Sequence, residues 1–353
     1  MTSRLASMIR KEFIQIRRDR RTLAMMLLIP ALWLIIFGYA ATFDVRHIKA
    51  AVAGDPADLR VAGVVKALEA EGAFDVVETG VAGRAGLEQA IKQGRASVGV
   101  VPPGPGTPGV FLADGADFFT AQTAAREIQL LLAGTAAPGT VPQYSVVILY
   151  NPELRSANVM IPGLVGVVMV FIAIIMTAVG VVRERERGTL EQLMVSPLRP
   201  LELMVGKIVP YVLIAFIDLL IVVAAGVFLF HVPFAGSLAL FLALSLLFLV
   251  TCLAIGLLIS TVSQTQQQAF QLAIFALLPQ ILLSGFIFPL AAIPWAVRWV
   301  AYLAPLTYFL PIARGIFLKA EGFADLWVYA AILAGYAVVL VGLAALQFRR
   351  RLL

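Results

Sequence analysis

Beyond residue 158 polar side chains are rare, and one dense group of them stands out, running from Arg183 to Lys207 between two long apolar stretches. Its residue types suit docking rather than bond-breaking. Thr189 followed three residues later by Gln192 has the spacing of a capping box, in which each side chain bonds the other residue's backbone N–H at a helix start. A short helix over 190–195 would carry Leu190, Leu193 and Met194 on one face, and Ser196-Pro197 would stop it. Glu184 with Arg187, and Arg187 with Glu191, stand three and four residues apart, the distances at which helical side chains pair. Pro200 then suits the first turn of a second helix, with Glu202 near its favourable N-terminal end. A plain connection needs only about four to six polar residues. A capped helix with an apolar face points instead to a surface for another protein.

The remaining reactive residue types do not assemble into a catalytic set. His47 stands alone, His231 falls at the end of an apolar run, and Cys252 is the single cysteine, inside another run. Asp114 and Asp117 flank Gly115 as a turn rather than a metal site, and no Ser–His or Asp–Asp pair has helical spacing. A loop that cradles phosphates needs Gly-x-x-x-x-Gly-Lys-Ser/Thr. Gly206-Lys207 comes nearest, but Leu201 occupies the upstream glycine position and Ile208 follows. The chain therefore has no nucleotide site, binds no metal or cofactor, and is not an enzyme; an intramembrane protease or lipid transferase lacks its nucleophile and base.

Three polar residues within apolar stretches are candidates for a substrate path. Asp218 lies near the middle of one, where an acid is by default functional although a hydrogen-bonded structural acid reads equally well. Gln271 and Gln280, nine residues apart, present hydrogen-bonding groups either to a cavity or to a neighbouring helix. Gln264-Thr-Gln-Gln-Gln268 reads as a polar loop, and Gly163 and Gly166, with Gly180 further on, allow close helix approach.

The elements that must position these residues follow from composition. The chain is 61% hydrophobic and 14% charged, against about 45–50% and about 25% in soluble domains. Runs of about 20 apolar residues cross a bilayer, and six occur: 23–43, 159–182, 208–230, 238–262, 272–288 and 326–348. The first is too long for the apolar core of a signal peptide, about 7–15 residues, and reads as a retained anchor. Residues 1–22 hold seven basic groups, with Leu5, Met8, Ile9, Phe13 and Ile16 at helical spacing, as an interfacial amphipathic helix would. Segment 44–157 has nine basic and twelve acidic residues. Lys and Arg collect on the cytoplasmic flanks of spans, which places both termini and 183–207 inside and 44–157 outside. The net charge of +6 is thus topogenic and does not imply nucleic acid.

Segment 44–157 reads as a small α/β domain, with strands near 50–53, 74–78, 97–101, 110–113 and 144–150 and helices near 57–71, 84–92 and 118–132. Residues 289–325 are apolar but broken by Pro289, Pro294, Pro305 and Pro311 and charged by Arg298 and Arg314. A crossing there would leave Arg349–Arg351 outside, so the segment is expected to dip into the membrane and return to the same face. The fold class is a mostly α polytopic membrane protein: six transmembrane helices, a small α/β extracytoplasmic domain after the first, and a re-entrant outer helical hairpin before the last. By residues, 158–353 form a five-helix region that includes the coupling segment 183–207.

The string Glu184-Arg-Glu-Arg-Gly-Thr-Leu-Glu-Gln-Leu-Met-Val-Ser-Pro-Leu-Arg-Pro200 resembles the signature of permeases of type-2 ATP-binding-cassette exporters. Ser284-Gly-Phe-Ile-Phe-Pro289, Ile293-Pro294 and Leu303-Ala-Pro-Leu-Thr-Tyr308 resemble the family's later motif. Tyr150-Asn-Pro-Glu-Leu154 and Ile161-Pro-Gly163 resemble its junction before the second span. The likeness covers nearly the whole chain and is greatest to the multidrug-efflux-like subgroup with an extracytoplasmic domain. It implies a dimer with a second, identical or homologous permease in the bacterial cytoplasmic (inner) membrane, among its lipids. Separate ATPase subunits would bind ATP and Mg and dock on the coupling helix. A periplasmic membrane-fusion adaptor is an optional further partner. It also implies that the second and fifth spans line the path, that 293–317 form the re-entrant outer helices, and that the cargo is lipophilic or amphipathic. Alternatives are export of a lipid or polysaccharide, or a membrane sensor with an outer ligand-binding domain.

Overall fold

A computed structural model describes residues 47–104, 107–135, 144–186 and 200–352. The expected interfacial helix 1–22, the span 23–43 and the island residues Arg187, Thr189, Leu190, Glu191, Leu193, Met194 and Pro197 lie outside the described residues.

The first unit is the expected α/β domain. Its order is β1 (Ile48–Ala53), α1 (Leu59–Glu71), β2 (Phe74–Val81), α2 (Gly83–Lys92), β3 (Val98–Val101), β4 (Gly109–Asp114), α3 (Phe118–Thr135) and β5 (Tyr144–Leu149). The sheet runs β2-β1-β3-β4-β5, with β1 parallel to β2 and β3, β4 antiparallel to β3 and parallel to β5. Strand β1 is apolar at consecutive positions because helices cover both faces. Ile48, Ala50 and Val52 meet Val61 and Leu68 of α1 and Ile128 of α3, whereas Ala51 and Ala53 meet Leu87 and Ile91 of α2. Helix α1 starts where the Asp58 side chain accepts the Arg60 N–H and stops at Gly72, which holds a left-handed φ of 69° that costs other residues energy. Every expected strand and helix is present, each with boundaries shifted by a few residues at most. One expectation fails: His47 is not alone, its Nδ1 lying 3.1 Å from the Asp75 carboxylate across the β1–β2 edge.

The second unit is helical: α4 (Ser156–Glu186), α5 (Pro200–Phe228), α6 (Leu238–Val262), α7 (Gln266–Leu283), α8 (Trp295–Ala301), α9 (Pro305–Lys319) and α10 (Phe323–Leu352). Among the described residues three helices are long and apolar enough to cross a membrane, Ser156–Glu186, Leu238–Val262 and Phe323–Gln347. The α8–α9 pair, bent by 76°, would raise the number to four if it were a single broken span. The chain is thus a multi-pass, mostly helical membrane protein with a small α/β domain.

Helix α4 is the hub, packing on α5, α6, α7 and α9. Glycines let it do so. A Cβ at Gly163 would lie 2.7 Å from the Phe286 ring, and one at Gly166 equally close to Leu306 and Phe309. On the facing helix a Cβ at Gly256 would come within 2.9 Å of the Ile174 carbonyl, so α4 and α6 meet backbone to backbone. Phe248 stacks on Phe309 with ring centroids 4.3 Å apart, and Phe317 meets Phe241 edge-on at 5.2 Å, fastening α9 to α6.

Two boundaries differ from expectation. The apolar run 272–288 does not remain helical to its end. Helix α7 closes at Ser284, and Gly285 turns the chain with φ 94° before Pro289. Gln266, Gln267 and Gln268 are not loop but the first turn of α7, which Thr265 caps by accepting the Gln268 N–H. Polarity there reflects a helix end, where N–H groups need acceptors.

Contacts sort the helix ends into two groups. At one end Ala235 N–H donates to the Phe317 carbonyl, Ala291 and Ala292 join the core of the α/β domain, and Lys319 pairs with Asp114. At the other, Arg183 donates to Gln266, Glu186 accepts from the Gln266 backbone and side chain, Arg185 donates to the Ser263 carbonyl, and Thr261 donates to Gln347. Both ends of the 289–319 stretch thus face the α/β domain.

Candidate functional site

Where the domain meets the helices, the chain builds its most charged interior. Strand β4 ends at Asp114, and the following turn is tight enough that a Cβ on Gly115 would lie 2.5 Å from the Leu149 carbonyl. The turn lets the Ala116 N–H reach Asp114 Oδ1 at 3.1 Å. Asp114 Oδ2 receives the Lys319 ammonium at 2.6 Å, with both side chains about one-tenth exposed (11% and 10%). The same ammonium stands 5.5 Å from the Tyr150 ring centroid, a cation–π distance. Burial raises the Asp114 pKa, and the charge of Lys319 opposes that rise without cancelling it.

Lys319 reaches this place because α9 ends at Ala320 in the left-handed region, φ 50°, which turns the chain back over the helix end. Glu321 then lies against Gly315, where any Cβ would collide with its carboxylate. Burial pushes the Glu321 carboxyl up to about 7, with Lys319 and Lys92 lowering it and Asp325 and Asp114 raising it.

These groups border a cavity of about 440 Å³ between the domain and the α8–α9 hairpin, lined also by Lys49, Lys92, Asp117, Ser284, Arg298 and Arg314. Two residues singled out in the sequence therefore share one site. Arg298 donates from Nε to the Ile293 carbonyl at 2.8 Å and from Nη2 to the Ala291 carbonyl at 2.9 Å, tying down the turn before α8. Arg314 donates from Nη2 to the Gly285 carbonyl at 3.2 Å, joining α9 to the turn after α7. Pro294 and Pro305 stand at the starts of α8 and α9, where a missing N–H costs nothing.

The three intramembrane candidates are not gathered within the chain. Asp218 is half-buried on α5, and Gln271 is half-buried on α7, two helices that both pack on α4. Gln280 is 5% exposed; its Nε2 donates to the Ala276 carbonyl one turn back at 3.3 Å, and its Oε1 has no partner among the described residues. Glu184 is half-buried near the end of α4.

Sequence reasoning missed Lys319 and Glu321, named Ser284 only as part of a family motif, and read Asp114 only as a turn residue. No spacing rule could join Asp114 to a lysine 205 positions later. Charges bracketing the left-handed Ala320, at the end of an apolar helix, were the one available signal.

Comparison with known proteins gives this architecture its class. The model for "ABC-2 family transporter protein" matches residues 20–346. The "Probable multidrug ABC transporter permease YbhR" of Escherichia coli is 30% identical over 344 residues, covering 93% of each chain. The "Probable multidrug ABC transporter permease YbhS" of the same organism is 38% identical over 204 residues, 58% of this chain and about half (54%) of that relative's length. The "ABC transporter G family member 20" of Dictyostelium discoideum is 25% identical over 57% of this chain and 28% of its own. The chain belongs to the ABC-2 transporter family.

Proposed function

We propose that the chain is the transmembrane permease subunit of an ATP-binding-cassette exporter that moves lipophilic or amphipathic compounds outward, with separate ATPase subunits binding ATP and Mg. One observation carries the reading: similarity spans 93% of the "Probable multidrug ABC transporter permease YbhR". The chain works in the bacterial inner membrane, paired with a second permease, with its α/β domain outside and open to a periplasmic adaptor.

In this reading residues 184–199 are the elbow and coupling helix that sits on the ATPase. Glu186, in its first turn, bonds Gln266 at the start of α7, and Arg183 adds a second bond to the same side chain. ATPase movement is thereby passed through short polar contacts to α7, the helix carrying Gln271 and Gln280. Gln280 Oε1 is a buried acceptor with no donor among the described residues, a group whose unmet capacity suits a passing amine or hydroxyl. In the reconstituted complex, hydrophobic amines should raise ATP hydrolysis, and Gln280→Leu should reduce that stimulation severalfold while leaving the basal rate nearly unchanged. Stimulation by a polysaccharide or lipid-linked glycan, and not by amines, would overturn the cargo class.

Six spans complete the topology, with residues 289–325 re-entrant. Support comes from the contacts that bring both Ala291–Ala292 and Lys319 to the α/β domain. Single cysteines at Glu69 and Ala320, both exposed, should react with an impermeant thiol reagent from outside, and one at Ser196 should not. Native Cys252 is fully buried and can be left in place. Labelling of position 320 from the cytoplasmic face alone would refute re-entry.

A further inference from the structure

Two buried polar groups on the wall of the charged cavity have nothing to bond among the described residues. Ser284 is 1% exposed and its Oγ is unpartnered; Arg314 Nε is buried and unpartnered, the guanidinium being held only through Nη2. Both residues line the cavity, and Arg314 bonds the carbonyl of Gly285, the residue after Ser284. Burying such groups without partners is costly, and most so for a charged one.

Four acids line the cavity, and three of them are engaged. Asp114 accepts from Lys319 and the Ala116 N–H, Asp117 from the Thr120 hydroxyl and N–H, and Asp325 from the Gly322 N–H. The fourth, Glu321, lies against Gly315, and no carboxylate among the described residues reaches Ser284 Oγ or Arg314 Nε, so what these two atoms lack is an acceptor. Lys49, Lys92 and Arg298 line the same space and add positive charge.

We infer that the cavity binds one phosphate or carboxylate group, held by Arg314 Nε and Ser284 Oγ between the α/β domain and the α8–α9 hairpin. A guanidinium with a free N–H and an adjacent hydroxyl is an oxyanion-binding pair. The site needs only the cavity described above and does not rest on the export reading. Its anion can come from a phospholipid headgroup or from solution. Trp295 and Trp299 on α8 are 75% and 54% exposed, and such residues settle at headgroup depth, so a headgroup is within reach.

The test uses the purified full chain in detergent. Phosphatidylglycerol binding is counted by native mass spectrometry, and inorganic phosphate binding is followed as a shift in thermal unfolding. Wild type should bind at least one probe saturably. Arg314→Gln should weaken that binding at least about tenfold and Ser284→Ala about threefold. Without anion, Ser284→Ala should be no less stable than wild type, because it removes an unsatisfied hydroxyl. That variant keeps the test decisive if Arg314→Gln does not fold. Saturable lipid binding alone assigns a headgroup, and phosphate binding alone assigns a soluble anion. No saturable binding of either probe, or binding unchanged in Ser284→Ala, overturns the site.

Discussion

Leu193→Asp is expected to abolish co-purification of the ATPase subunits from the detergent-solubilised complex while leaving the chain in the membrane. The reason is geometric. In the helix that the sequence spacing predicts over 190–195, a segment outside the described residues, Leu190, Leu193 and Met194 would share one face, with Leu193 between the other two. Burying an unpaired carboxylate in an apolar interface costs several kcal/mol, and about 4 kcal/mol lowers an association constant roughly a thousandfold. Insertion depends on the apolar spans and is untouched. Leu193→Met is the control, since a volume-conserving apolar change usually costs less than about 1.5 kcal/mol. Recovery of the full complex with Leu193→Asp would remove the docking role from this face.

The second large effect is at the junction of domain and helices. Lys319→Met leaves Asp114 buried without its cation, and removing one partner of a buried pair typically costs about 3–5 kcal/mol. Asp114 can escape part of that cost by taking up a proton, so the lower end applies. The sign with pH follows. The Asp114 pKa is already raised in the folded protein, and losing Lys319 raises it further. The folded variant therefore binds a proton that the unfolded chain releases above about pH 4. Its stability relative to wild type should fall as pH rises, with the deficit largest in alkaline buffer and fading under acid. Adding Asp114→Asn to Lys319→Met should restore most of the loss. Thermal unfolding of the four proteins of this cycle at pH 5 and pH 8 measures the coupling directly. A pH-independent deficit, or no rescue by the double variant, would show that the pair does not hold the domain in place.

The α/β domain and the long helices could be read from the chain because their signals are local. Strand β1 shows as a short apolar run, α2 as a repeat of Leu87, Ala90 and Ile91, and α6 as a mostly apolar run of 25 residues between two serines. Family membership was legible for the same reason, since the island and the Ser284–Pro289 motif are contiguous strings. The prolines at 294 and 305 were legible as breaks, because the constraint lies in their own rings; the structure puts them at helix starts.

Composition misled where polarity had a structural cause outside the pattern. Gln266–Gln268 look like a loop until Thr265 is seen capping them and Glu186 bonding Gln266. Residues 284–288 are apolar enough to prolong a span, yet Gly285 turns them. The cavity itself was beyond any such reading. Asp114 and Lys319 are 205 residues apart, and Ser284 closes α7 whereas Arg314 stands on α9. Apolar periodicity and topogenic charge are written along the chain, residue beside residue. Which buried charge finds a partner, and which is left with a free N–H, is settled only when distant segments close on the same space.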